Sequence, residues 1–193
     1  YNLLNNLGES MINSEDRSRA FNFALFAQET FGKIIGVVIL WSIWAIFFSN
    51  IDNSFISLIL LSCISIGFGT ITPLIDFNES HATNPLWTGH ARFHLVWQVN
   101  AMILTSVLSL ILLWFYHSNT NVILVLILNY LWIFSFIATV LSMKLYDGEL
   151  NDINGVPSVK NKIFGRIIEI DRNVQAITGV FILNTYALGL FLL

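Results

Sequence analysis

The sequence predicts an all-α integral membrane protein: a bundle of five transmembrane helices preceded by an amphipathic helix. Three observations predict it. Hydrophobic residues fill 55% of the 193 positions and charged residues only 11%, where a soluble domain carries about 25% charged residues. Mean hydropathy is +0.71. Five runs reach the roughly 17–25 apolar residues that a bilayer crossing requires, and none contains an internal proline.

The expected spans are residues 33–49, 54–72, 94–116, 121–143 and 173–193, within a single transmembrane domain over 1–193. A bilayer offers no water to loose backbone groups, so each span should be a helix. Before the first span, Ser14, Glu15 and Asp16 read as a helix start. Phe21, Leu25, Phe26 and Phe31 then recur at near-helical spacing. This stretch is either a surface-lying amphipathic helix or an extension of the first span. The first thirty residues do not have the pattern of a cleavable signal. Gly67 and Gly69, or Gly179 and Gly189, are small residues that let helices approach. Asn129, Tyr130 and Ser135, with Gln175, Thr178 and Asn184, are isolated polar residues suited to interhelical hydrogen bonds. The one cysteine, Cys63, excludes an intrachain disulfide and a cysteine-based metal site. Nothing points to nucleic acid.

The charge map predicts orientation. Arg17, Arg19 and Lys33 precede the first span, and Arg92 lies in the loop 73–93. Lys144, Lys160, Lys162, Arg166 and Arg172 lie in the loop 144–172. All nine basic residues therefore fall on one side. Positive residues mark the cytoplasmic face, so the N-terminus and both long loops are expected inside and the C-terminus on the opposite side. Of the acids, only Asp52 faces the other way. His117 also lies there and reads as interfacial.

Three of four histidines sit in residues 81–94, HATNPLWTGHARFH. Asn84-Pro85 predicts a turn, because proline biases its predecessor away from helix. Thr88 predicts an N-cap, with helix from Gly89. His90 and His94 then share one helix face, and Gln98 continues it. Trp87 and Trp97 suit the headgroup level.

Three readings of this stretch follow. In the first, His81, His90, His94 and Asp76 hold a transition metal such as Zn, Fe or Mn. Asp76 acts as ligand or as orienter of a histidine. Glu79 serves as general base and Arg92 holds an anionic group of a hydrophobic or lipid-like substrate. In the second, Thr88, His90, Arg92 and the free N–H groups of the helix start bind the phosphate of a lipid or polyprenyl phosphate. In the third, these residues anchor helices at the interface, with Asp76 paired to Arg92, in a non-enzymatic subunit of a larger membrane complex. A proton path is disfavoured because the spans hold no acid.

The second loop, 144–162, carries Asp147, Glu149 and Asp152 between turn signals at Asp147-Gly148 and Asn154-Gly155. Its spacing does not match an EF-hand. It shares a face with the histidines and is placed to cover them or donate a carboxylate. The following IFGRIIEIDRNVQ reads as an amphipathic run into the last span. Glu169 and Asp171 are expected to pair locally with Arg166 and Arg172. Glu29 pairs with Lys33 or joins the site as ligand or base.

The string DFNESHATNPLWTGHARFH, residues 76–94, resembles the signature of a family of small integral membrane proteins known as a domain of unknown function. The match covers about a tenth of the chain. It implies that Asp76, Asn78, His81, Asn84, Pro85, Trp87, His90, Arg92 and His94 belong to one motif, and it implies no activity. In size and polar pocket the chain is also similar to EXPERA-type membrane proteins. That fold has four spans, and its motif is not found here.

Overall fold

The computed structural model describes residues 18–150, 155–163 and 166–193. Five long helices account for most of them: α1 (Arg19–Phe48), α2 (Asn53–Asp76), α3 (Gly89–Trp114), α4 (Asn119–Leu145) and α5 (Arg172–Leu192). Each is long and apolar enough to cross a membrane. A short antiparallel hairpin, β1 (Val159–Ile163) and β2 (Arg166–Ile170), precedes α5.

Side-chain caps set the helix starts. Ser18, Asp52, Thr88, Ser118 and Asp171 each accept a backbone N–H from the first turn of α1 to α5 in order, which satisfies donors that no helix can satisfy internally. The Ser54 N–H 2.6 Å from Asp52 holds that carboxyl below its ordinary value. Thr88 caps α3 as expected. Ser14, Glu15, Asp16 and Arg17 lie outside the described residues, as do Asp152 and Asn154.

The stretch before the first expected span is not a separate amphipathic helix. It is the first part of α1, a continuous helix of 30 residues. No proline interrupts it, and its Phe21 and Ala24 find an apolar partner in Ile75 at the end of α2. That partner removes the need for a surface-lying helix.

α2 also runs past its expected end, through Pro73 to Asp76. Proline lacks an N–H and its ring crowds the carbonyl four residues back. The helix accommodates it by widening into a π-helical stretch over Gly67–Ile71, where the Thr72 N–H bonds Gly67 O. Such single-turn bulges are the usual way a helix absorbs an interruption.

α2 is the central helix: half of its most apolar window is buried, against 11% for α1. α1, α3, α4 and α5 all pack on it. Gly67 lies against the Phe31 ring of α1, and Gly69 against Ser106 of α3. Gly179 and Gly189 have open space around them instead. Buried polar groups cross-link the bundle. Ser57 Oγ donates to Ala187 O at 2.8 Å, and Trp114 Nε1 donates to Ser62 Oγ at 2.9 Å. Asn129 Nδ2 donates to Asn184 Oδ1 at 3.0 Å, and Tyr130 bonds Thr185 at 2.9 Å. The expected interhelical role of Asn129, Tyr130 and Asn184 is thus met.

The hairpin replaces the amphipathic run expected before the last span. β-branched isoleucines at 163, 167, 168 and 170 favour extended backbone, and Val159 pairs in register with Ile170. The expected local ion pairs do not form there. Glu169 meets Lys160 across the hairpin at 3.9 Å. Asp171 is engaged in capping α5. Arg172 instead reaches Glu29 of α1 at 3.2 Å and bonds Pro157 O at 2.9 Å. Glu29 is therefore paired with Arg172 rather than Lys33. The same contacts bring the second loop over the α1–α2 junction, where Val156 is buried with Phe21, Ala24 and Ile75.

Candidate functional site

The connection between α2 and α3 is held by its own polar side chains. Asn78, Ser80 and Asn84 are all buried, at 5%, 2% and 1% exposure. Asn78 Nδ2 donates to Leu74 O at 2.9 Å, and its Oδ1 accepts from Ser80 N at 2.9 Å. Asn84 accepts from Leu86 N at 3.0 Å and donates to Ser80 O at 3.2 Å. Trp87 N donates to Asn84 O at 3.2 Å, which closes the expected Asn-Pro turn.

This frame positions His81. The Ser80 hydroxyl lies 3.0 Å from Ile75 O, 2.8 Å from Asn78 Oδ1 and 2.7 Å from His81 Nδ1. A hydroxyl has one proton, and the first two atoms only accept. Ser80 Oγ thus ties the Nδ1 side of the His81 ring into the buried network, and whichever of the two carries the proton, the contact orients the ring. Asp76 Oδ1 stands 3.7 Å from the same Nδ1, and Trp87 packs edge-on against the ring at 5.5 Å. The pairing of Asp76 is with His81, not with Arg92.

His90 and His94 form a second, separate pair. Both are exposed on the first turns of α3, with Nε2 atoms 3.0 Å apart. The expectation that they share a face is met. Phe93 and Trp97 flank them, 61% and 62% exposed.

The other two expected residues go elsewhere. Glu79 accepts from Ser18 N at 2.8 Å and from Ser18 Oγ at 2.6 Å. It binds the N-terminus of α1, where the helix dipole favours a carboxylate. Arg92 is two positions from His90 and so points away from the histidine face. It is half-buried, and its Nε is buried with no hydrogen-bond partner among the described residues.

The six expected site residues thus divide into an oriented Asp76–His81 pair, an exposed His90–His94 pair, a helix-binding Glu79 and an inward Arg92. Among the described residues, no three of His, Cys, Asp and Glu come together as a metal-binding group. The cause is local. The turn at Asn84-Pro85 and the cap at Thr88 separate His81 from the helix that carries His90 and His94. Sequence reasoning missed Ser80, which orients the His81 ring, and Ser18, which takes up Glu79. Ser18 carried a readable signal, since a serine ahead of an unbroken helical stretch is a cap candidate.

The fold and site define a class: a bundle of membrane-length helices with a polar cap of ordered loops at one end. No family model, curated protein or solved structure matches the chain.

Proposed function

We propose that the chain is a five-span integral membrane protein, with its N-terminus and long loops on the cytoplasmic side. At that end it carries metal-dependent chemistry on a hydrophobic or lipid-like substrate. Membrane insertion is supported by the outer surface of the bundle, where Leu40, Phe47, Leu104 and Leu141 are each about 70–80% exposed. Water does not tolerate an apolar surface of that extent, and lipid does. Orientation is supported by the basic residues, which gather at the loop end. In cysteine scanning on a Cys63→Ser background, Ser158→Cys should label only after the membrane is permeabilised, and Ser118→Cys should label from outside. The reverse pattern would invert the topology.

The metal reading is carried by one observation, the 3.0 Å approach of His90 Nε2 to His94 Nε2. The ligands are then His90 and His94, rather than the four residues read from sequence. An ion held there would supply Lewis-acid chemistry toward an oxygen of the substrate. The test is metal content. Purified in mild detergent without a histidine tag, the protein should carry stoichiometric Zn, Cu, Ni, Fe or Mn by mass spectrometry. A folded His90→Ala/His94→Ala variant should lose it. Metal-free wild-type protein that resists reloading would overturn this reading.

A second reading rests on Arg92, whose Nε is a buried donor without an acceptor among the described residues. A lipid phosphate would supply one. Extraction of the same preparation for bound phospholipid or polyprenyl phosphate, compared with Arg92→Gln, separates the two.

A further inference from the structure

The hairpin β1–β2 is a sheet without a cover. Successive side chains of a strand alternate between its two faces, so Arg166, Ile168 and Ile170 share one face of β2. Val159 joins them there, because it pairs in register with Ile170. Lys160 and Glu169, also in register, lie on the opposite face and approach to 3.9 Å. One face is thus mainly apolar and the other mainly charged. A two-stranded sheet is marginal in water unless its apolar face packs on something. Yet the strands make no extensive contact with any of the five helices, and none of their described side chains joins either apolar core. Ile168 is exposed on the apolar face, and Ile167 is exposed at the end of β2 far from α5.

The root of the hairpin is fixed at the membrane surface. Arg172, the first residue of α5, bonds Pro157 O just ahead of β1 and pairs with Glu29 of α1. Lys33, one turn further along α1, opens the first span expected from sequence, which puts this junction at headgroup level. Asp171 alone separates Ile170 from α5. Five strand residues at about 3.3 Å each extend only about 16 Å, so the whole hairpin stays within reach of the headgroups. Its charge fits them. Lys160, Lys162 and Arg166 against Glu169 leave residues 159–170 at +2. Arg166, on the apolar face, can lay its aliphatic stem on lipid while its guanidinium holds a phosphate.

We propose that the hairpin lies on the bilayer, with the face of Val159, Ile168 and Ile170 against the acyl boundary and the basic residues among anionic phospholipid headgroups. An apolar face backed by a basic one is the pattern of elements that lie in the membrane interface, and anionic lipid attracts basic segments held next to a span. A second copy of the chain fits less well, since a symmetric contact sets the basic residues of one hairpin against the same residues of the other. The proposal rests on the membrane-spanning part of the reading above and not on its metal.

The test uses the full chain with Cys63→Ser and Ile168→Cys, the new thiol carrying an environment-sensitive fluorophore. The protein is placed in vesicles of phosphatidylcholine with or without phosphatidylglycerol. With phosphatidylglycerol the emission should shift to the blue, and phospholipid spin-labelled near its headgroup should quench it several-fold more than aqueous iodide does. Salt should weaken the effect. Lys160→Glu/Arg166→Glu reverses the sign of the hairpin charge and should restore an aqueous signal with helical circular dichroism unchanged. Should that variant unfold, the comparison of the two lipids decides alone. The same fluorophore at Leu40→Cys should lie in lipid in every vesicle, and an aqueous signal there would overturn the membrane reading itself. With that control in lipid, an aqueous signal at position 168 in phosphatidylglycerol overturns the proposal, as does equal shielding in phosphatidylcholine alone. Shielding that tracks a dimeric mass in detergent, whatever lipid is added, gives the face to a second copy and also overturns it.

Discussion

Gly69→Ala is expected to destabilise the bundle by about 1–3 kcal/mol, the range for overpacking a closed core. Gly69→Leu is expected to prevent stable assembly. A Cβ at Gly69 would stand 2.9 Å from Ser106 Cβ. That neighbour is the stem of a side chain on a packed helix, not a flexible tip, so α2 and α3 themselves must separate. Gly67 makes the contrast. Its added Cβ would also meet an atom at 2.9 Å, but that atom is on the edge of the Phe31 ring, which turns away more easily. Gly179 and Gly189 have nothing nearby, and there alanine should be neutral or stabilising by up to roughly 1 kcal/mol through helix propensity. Thermal unfolding in detergent across these variants should rank Gly69→Ala worst, then Gly67→Ala. Ser106→Gly should recover most of the Gly69→Ala loss, because neighbouring sites couple. Additive losses in that double variant would show that α2 and α3 do not meet where the structure has them.

The five helices were legible because long apolar runs admit few alternatives. Their ends were less so, because a partner decides them. Nothing in residues 19–32 says whether the stripe through Phe21 lies on a membrane or continues α1. The answer is Ile75, some fifty positions away. Pro73 read as the end of the second span, since a proline ends most helices. The π-helical turn over Gly67–Ile71 that lets α2 pass it is a backbone feature that no single residue announces. The hairpin at 159–170 was hidden by its own sequence, since Ile167, Ile168 and Ile170 fit an amphipathic helix nearly as well as a strand. Local pairing failed for Arg172 for a related reason. Asp171 was already committed to capping α5, which released the guanidinium to find Glu29.

At the site, sequence spacing was reliable within an element and unreliable between elements. His90 and His94, four apart on one helix, meet as expected. His81 lies only nine positions before His90, yet a proline turn and a helix cap intervene, and proximity in sequence did not become proximity in space. Glu79 shows the same limit. A carboxylate amid histidines suggested a base, but the N-terminus of α1 competes for it with two donors from Ser18.

Asn84 tests whether the cap at the loop end is held by polar satisfaction, as its burial indicates. Asn84→Leu keeps the volume and removes both side-chain bonds. The Ser80 carbonyl loses its donor in a buried setting, at about 1–3 kcal/mol, and the Leu86 N–H loses an acceptor, at roughly 1 kcal/mol. The sum exceeds what a single loop can absorb, so residues 77–88 should open locally while the five helices stay folded. Faster amide exchange and proteolysis within that stretch, with unchanged helical circular dichroism, is the expected signature. Asn84→Asp sharpens the argument because it titrates. One carboxylate oxygen can still accept from Leu86, but the other faces the Ser80 carbonyl, where only a proton makes the contact attractive. Burial and that carbonyl both raise the folded-state pKa above the unfolded value. The folded state then binds more protons between the two values, so stability falls as pH rises through the folded pKa. Between about pH 5 and about pH 8 the loop of Asn84→Asp should lose markedly more protease resistance than the loop of wild type or of Asn84→Leu loses over the same range. A profile for Asn84→Asp no steeper than that of wild type would mean that water reaches this side chain, and that the cap is ordered by something other than the bonds of Asn84.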